Sequence, residues 1–350
     1  MQHLDYTWPT RLFGAIGPFI VALALSSIAV HALPAETDKK DPTACVAQST
    51  QDLARTAHEP IVPLPRTVDL DHRKIALGHK LFHDVRFSRD NTISCASCHD
   101  VTTNGADNKR YSVGWNGDYT AANAPTVFNS GYNFVQYWDG RAATLEEQVS
   151  GPIHSPSEMG SDWQSVIEKL RADSSITDQF HEIYDDGLTS DNIEDAISVF
   201  ERSLITPNSR FDEYLRGAEA AITREEKAGY GLFKSLGCAA CHQGRNVGGN
   251  LFQRLGIFNE FSKDPKSDKS ILGRYNVTGD EKDRNVFKVP ALRNVALTAP
   301  YFHDGSAESL GEAVQIMAFY QLGLTLERNE TNCIVAFLKT LTGPRNWQKP

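Results

Sequence analysis

The chain has 350 residues, with 35 Lys and Arg set against 44 Asp and Glu, for a formal net charge of −9. That acidic balance argues against nucleic acid as a partner and suits docking of a basic protein. The length fits two domains.

In chain order, Arg11 precedes a run from 12 to 33 without a charged residue, and Val30-His31-Ala32 offers a small-residue cleavage site. Residues 1–32 therefore read as an export signal. An uncleaved membrane anchor is the alternative, since the run is long enough to span a bilayer. Removing residues 1–32 takes away one Arg and one Asp, so the charge stays at −9. No later segment is long and apolar enough to span, which predicts a soluble body in the periplasm. Residues 33–60 read as a linker. It carries Cys45, which an oxidising compartment permits to pair with Cys333; two unpaired thiols are the other reading.

Residues 61–207 form the first expected domain. Leu81-Phe82 precedes Cys95-Ala96-Ser97-Cys98-His99. Two thiols three apart add across the vinyl groups of a haem, and the next residue places an imidazole under the iron, so this run is the attachment signature of a covalent c-type haem. Residues 104–133 are rich in Gly, Asn and Asp and read as a long loop over that haem. Apolar residues at three- and four-residue spacing behind Ser, Thr or Asp predict helices over 161–172 and 190–204. A link between domains is expected near Pro207-Asn208-Ser209. The second domain, 208–344, has predicted helices over 223–236, 309–322 and 327–341. Its own haem signature is Cys238-Ala239-Ala240-Cys241-His242, with a second loop over 244–283. Residues 345–350 are a tail. The fold class is mainly α, with one covalent haem c in each of two cytochrome c-like domains.

The halves repeat one another. Leu232-Phe233 echoes Leu81-Phe82, and Val289-Pro290-Ala291-Leu292-Arg293-Asn294 echoes Ala124-Pro125-Thr126-Val127-Phe128-Asn129. Pro125 stands as far before Asp139-Gly140 as Pro290 does before Asp304-Gly305. Matched spacing of this length predicts an internal duplication. It also predicts that the irons differ. Met317, on an expected helix, has a thioether that can cap the second iron, and His/Met ligation raises a haem's potential. Its counterpart in the first half is Pro152, which has no ligand atom. The first iron then has an open face for a small oxidant, with Glu158 or His154 for proton transfer and Gln148 to orient a peroxide.

The chain from about 61 to 343 resembles the bacterial dihaem cytochrome c peroxidases, the family that includes the MauG-type enzymes. The resemblance rests on Leu81-Phe82-x-Asp84-x-Arg86-x-Ser88, Asn123-Ala124-Pro125-Thr126-Val127, Trp138-Asp139-Gly140-Arg141-Ala142, Gly151-Pro152, Glu158-Met159 and 296–303. It implies a peroxidatic haem on His99, with Glu158 as acid-base catalyst and Gln148 and Pro152 shaping the pocket. It further implies a high-potential haem on His242 and Met317, with Trp138 as the electron route. A calcium ion on Asn123 and the carbonyls of Thr298 and Pro300 is also implied, as is a homodimer.

One departure stands out. In the typical peroxidases, a histidine that blocks the peroxidatic iron follows the Ser-Val-Gly of the loop; here Ser112-Val113-Gly114 is followed by Trp115. The expectation is a first haem open in the oxidised state, unless His79, His83 or His154 substitutes. The function expected is reduction of hydrogen peroxide to water with electrons from a small cytochrome c or a cupredoxin. A MauG-like enzyme oxidising a protein substrate and a non-enzymatic dihaem electron carrier are the alternatives.

Overall fold

The computed structural model describes residues 59–261 and 272–345. The helices are α1 (His72–Phe82), α2 (Leu145–His154), α3 (Trp163–Arg171), α4 (Ser174–Ile183), α5 (Ser190–Ser203), α6 (Arg210–Leu215), α7 (Arg224–Ser235), α8 (Tyr275–Thr278), α9 (Leu310–Leu322) and α10 (Arg328–Thr340). Among the described residues the sheet is one antiparallel ribbon, β1 (Phe252–Arg254) against β2 (Val286–Lys288), with Phe252 opposite Lys288. No helix among them is long and apolar enough to cross a membrane. The proposed export signal, residues 1–32, lies outside the described residues.

The five predicted helices form where apolar spacing and caps agree. The Thr189 hydroxyl accepts from the Asn192 N–H, Thr223 and Glu226 cap each other reciprocally, and Ser309 accepts from the Glu312 N–H. Each cap satisfies donors that the first turn leaves without partners.

Two helix pairs hold two cores. In the first, α1 packs on α5 and buries Leu77, Leu81, Phe82 and Phe200. In the second, α7 packs on α10 and buries Tyr230, Phe233, Ile334 and Phe337. Phe82 meets Phe200 edge-on at 5.3 Å between ring centroids, and Phe233 meets Phe337 at 5.1 Å. A glycine sets the approach in each pair. A Cβ on Gly78 would lie 1.9 Å from the Ala196 carbonyl oxygen, and one on Gly229 would lie 1.9 Å from that of Cys333. Alanine is the better helix former, yet here it forces the helices apart. Gly78→Ala and Gly229→Ala are each expected to lower stability by about 1–3 kcal/mol, the scale of overpacking, read as a lower unfolding midpoint.

Other features recur at matched places. Asn129 and Asn294 both take a left-handed backbone, at φ 63° and 60°, as do Tyr137 and Phe302, at φ 65° and 72°. Isolated antiparallel bridges join Gln136 to Ala142 and Tyr301 to Ala307. Helices α2 and α9 start at Leu145 and Leu310, so Pro152 and Met317 are each the eighth residue of their helix.

The segment expected to link two domains is not a loose one. Thr206, Pro207 and Ser209 are buried. The Thr206 hydroxyl accepts from the Asn129 side-chain amide at 2.8 Å and from that of Asn294 at 3.0 Å. Two equivalent asparagines thus meet on one oxygen. Beside it, Arg293 and Asp212 form a fork of hydrogen bonds, Nη1 to Oδ2 at 3.0 Å and Nη2 to Oδ1 at 2.9 Å, with side chains 1% and 0% exposed. Cys333, in the second core, is disulfide-bonded. Cys45 lies outside the described residues.

Candidate active site

Two cavities open beside the two Cys-x-x-Cys-His runs. The first, of about 300 Å³, is lined by Cys95, Cys98, His99, Gln148, Pro152 and Glu158. The second, of about 260 Å³, is lined by Cys238, Cys241, His242 and Met317. Each run sits on a short 3-10 turn, Cys95–Ser97 or Cys238–Ala240, in which the histidine N–H donates to the first cysteine's carbonyl at 3.0 Å. That turn brings both thiols and the imidazole to the same cavity wall.

The donor chemistry fits a haem in each cavity. None of the four cysteines is in a disulfide, so their sulfurs are available to a haem's vinyl groups. The His99 Nδ1 lies 3.2 Å from the Gly105 carbonyl, a contact that fixes the ring and leaves Nε2 to bind a metal. The His242 Nδ1 is buried facing the Val247 and Pro290 carbonyls without a well-formed hydrogen bond. Burial holds His242 down to about 4, which keeps its imidazole neutral.

The far side of the first cavity is built from α2. A proline at 152 has no N–H, so the carbonyl of Gln148, four residues earlier, loses its helical partner. The Tyr137 hydroxyl donates to that carbonyl at 2.8 Å. Gly151 makes room for this, because a Cβ there would sit 1.9 Å from the Tyr137 hydroxyl oxygen. Arg141 lies over the Tyr137 ring at 3.4 Å from the centroid. The sequence reading named Gln148 and Pro152 and missed Tyr137, whose signal was the helix-breaking Gly151-Pro152 pair inside a helix.

Glu158 follows α2 and is half-buried on the cavity wall. Burial raises its carboxyl above the ordinary range, while Arg141 and a hydrogen bond from Ser155 oppose that rise. His154, the other acid-base residue considered, is exposed, has Nδ1 at 2.8 Å from the Ser150 carbonyl, and does not line the cavity. Nor do His79 or His83.

Trp115 packs against the segment that carries Glu158. Its indole Nε1 donates to the Pro156 carbonyl at 3.0 Å, and its backbone N–H donates to the Glu158 carbonyl at 2.9 Å. The Arg89 guanidinium covers its ring. Gly114 and Gly160 permit the approach: Cβ atoms there would lie 2.1 Å from the Ser157 carbonyl oxygen and 2.1 Å from the indole nitrogen.

A shared wall separates the cavities. Trp138, Tyr137, Phe287, Lys288 and His303 line both. The Trp138 indole donates to the Asn123 carbonyl at 3.0 Å and meets His303 edge-on at 6.3 Å, and Phe287 stacks on His303 at 4.3 Å. The family resemblance implied a place between the two sites for Trp138, which lines both cavities, and nothing in the sequence pointed to Phe287, Lys288 or His303. Sequence reasoning also missed Glu201, a buried carboxyl on the first cavity that burial pushes up to about 8.

The residues expected at a calcium ion gather on the second cavity, which Asn123, Thr298 and Pro300 all line. The Asn108 side-chain amide donates to the carbonyls of Leu297 and Ala299 at 3.0 and 2.9 Å. No hydrogen bond among the described residues claims those of Thr298 or Pro300. Among the described residues no cluster of three His, Cys, Asp or Glu could hold a metal, so a cation here would rely on carbonyl and amide oxygens.

Comparison with known proteins agrees with this arrangement. A profile described as di-haem cytochrome c peroxidase matches residues 72–220. Cytochrome c peroxidase Ccp of Escherichia coli (strain K12) is 48% identical over 287 residues, which span 82% of this chain and 62% of that protein. The cytochrome c551 peroxidase of Nitrosomonas europaea is 44% identical over 289 residues, covering 82% of this chain and 85% of that one. Among solved structures, a MauG-like protein associated with microbial copper homeostasis superposes with a TM-score of 0.70 at 29% identity, covering 83% of this chain and 95% of the other. With 44% identity across 85% of a full relative, the chain belongs to the di-haem cytochrome c peroxidase family.

Proposed function

We propose that this protein is a periplasmic peroxidase that reduces hydrogen peroxide to two waters, consuming two protons and two electrons from a small cytochrome c or a cupredoxin. Two cavities with one Cys-x-x-Cys-His run each, joined by a wall containing Trp138, carry this reading. A haem on His99 would supply the iron at which peroxide is reduced, and a haem on His242 and Met317 would store an electron. The halves read as two haem domains, 61–207 and 208–344, related by duplication.

The chain's own residues do the rest. Gln148, its carbonyl anchored by Tyr137, presents its amide to the first cavity to orient the peroxide. The Glu158 carboxylate takes the proton from one peroxide oxygen and delivers it to the other, which leaves as water. Its raised titration range brings it closer to neutral pH, where both halves of that transfer run well. Pro152 offers no ligand atom and keeps the space above the first haem site open. Trp138 spans the wall as the electron route. A calcium ion on Asn123 and the carbonyls of Thr298 and Pro300 belongs to the same proposal, since a hard cation prefers oxygen donors. So does a homodimer.

Trp115 supports a first haem that needs no prior reduction. Its indole is bonded to Pro156, and none of His79, His83 and His154 lines the cavity. Steady-state peroxide turnover with a reduced small cytochrome c is expected to be equal, without a lag, for fully oxidised enzyme and for enzyme first reduced by one electron. Turnover only after reduction would show that another group closes the site.

A further inference from the structure

Lys288 stands out in the shared wall. It lies in β2, 7% exposed, and its backbone N–H donates to the Trp138 carbonyl at 2.8 Å. It lines both cavities, and it is the one Lys or Arg among the described residues to do so. No hydrogen bond or ion pair of Nζ is made among the described residues. Burial alone draws the amine down to about 8, with no acidic group beside it to oppose the shift.

A buried ammonium without an anion is strongly disfavoured. Arg293, the other deeply buried cation on a cavity wall, has Asp212 for a partner; Lys288 has only what fills the cavities. Covalent haems bring carboxylates with them, two propionates each. We propose that Lys288 is the common cation of the two haem sites, pairing with propionate carboxylates from both cavities and tying the reduction of each haem to one fixed positive charge. This rests on the reading that each cavity holds a haem.

The consequence is electrostatic. An electron added to either haem is stabilised by a positive charge nearby, so removing that charge makes both haems harder to reduce. Holoprotein carrying Lys288→Met is expected to retain two haems and to show both midpoint potentials lowered, by about tenfold in each reduction equilibrium, or about 59 mV for one electron. Lys288→Gln, nearly as long and also uncharged, covers the case in which the apolar side chain prevents folding. Lys288→Arg restores the charge and should return both potentials towards the wild-type values.

Haem content by the pyridine haemochrome assay and potentials by spectroelectrochemical titration separate the two ideas. Fewer than two haems in the wild-type protein would overturn the haem reading itself. Two haems in an uncharged variant with unchanged potentials, or with only one potential moved, would overturn the shared cation alone.

Discussion

Glu158→Gln is expected to slow peroxide turnover by about 10²- to 10⁴-fold, the range over which a positioned acid-base group contributes. The amide keeps the shape of the carboxylate and loses the capacity to accept and return a proton. Glu158 sits beside Gln148 and Pro152 on the first cavity, and its backbone is held by Trp115, so the substitution should leave the pocket standing. The pH profile gives a second reading of the same experiment. Burial raises the Glu158 carboxyl, and the carboxylate is the form that accepts the peroxide proton. Wild-type turnover should therefore fall as pH drops through a value above the ordinary glutamate range, and that acid limb should vanish in the variant. The measurement is kcat against pH with two haems loaded. A near-normal rate would remove Glu158 from the mechanism.

Asp212→Ala is expected to be the most damaging change to stability, by about 3–5 kcal/mol, because it leaves the Arg293 guanidinium buried and unpaired. The carboxylate also accepts from the Leu64 N–H at 3.2 Å and from the Ser209 hydroxyl at 2.9 Å. Arg293 reaches on to the Arg245 carbonyl at 2.6 Å and the Val62 carbonyl at 3.2 Å. One ion pair thus fastens the entering strand of chain, α6 and the wall of the second cavity. The denaturant midpoint of the holoprotein checks the loss. Replacing Asp212 and Arg293 together by Leu and Met should recover much of it, since a buried pair exchanged for apolar side chains is often neutral. A double variant as unstable as the single one would show that the outlying hydrogen bonds, and not the stranded charge, carry the cost.

The two Cys-x-x-Cys-His runs were legible because the chemistry they point to demands fixed spacing: Cys95, Cys98 and His99 lie within five residues, as do Cys238, Cys241 and His242. The matched spacing of the two halves was legible too: Pro152 and Met317 hold the same place in α2 and α9. What escaped was whatever depends on distant partners or defies local propensity. Helix α2 carries Gly151 and Pro152, which local propensity disfavours in a helix, and Ser, Thr, Asp and Gln fill half of α4; neither was among the expected helices. Pro207-Asn208-Ser209 had the composition of a linker, yet its neighbour Thr206 is held by asparagines 77 and 88 positions away. A lysine is among the residues least expected in an interior, so nothing in the sequence marked Lys288 as a wall residue.

The trio of Tyr137, Gly151 and Pro152 also constrains how this pocket changes over generations. Each residue makes the next one tolerable: the proline strands a carbonyl, the tyrosine rescues it, and the glycine clears the tyrosine's path. Altering Tyr137 alone leaves an orphaned acceptor and altering Gly151 alone makes a collision, so single-step drift is closed at those two positions while Pro152 stands. A lineage that installed a ligating side chain at 152 would restore the missing N–H and release Tyr137 from its duty, freeing 137 and 151 to vary afterwards. The order of substitutions is therefore set in advance: position 152 changes before 137 or 151 can follow.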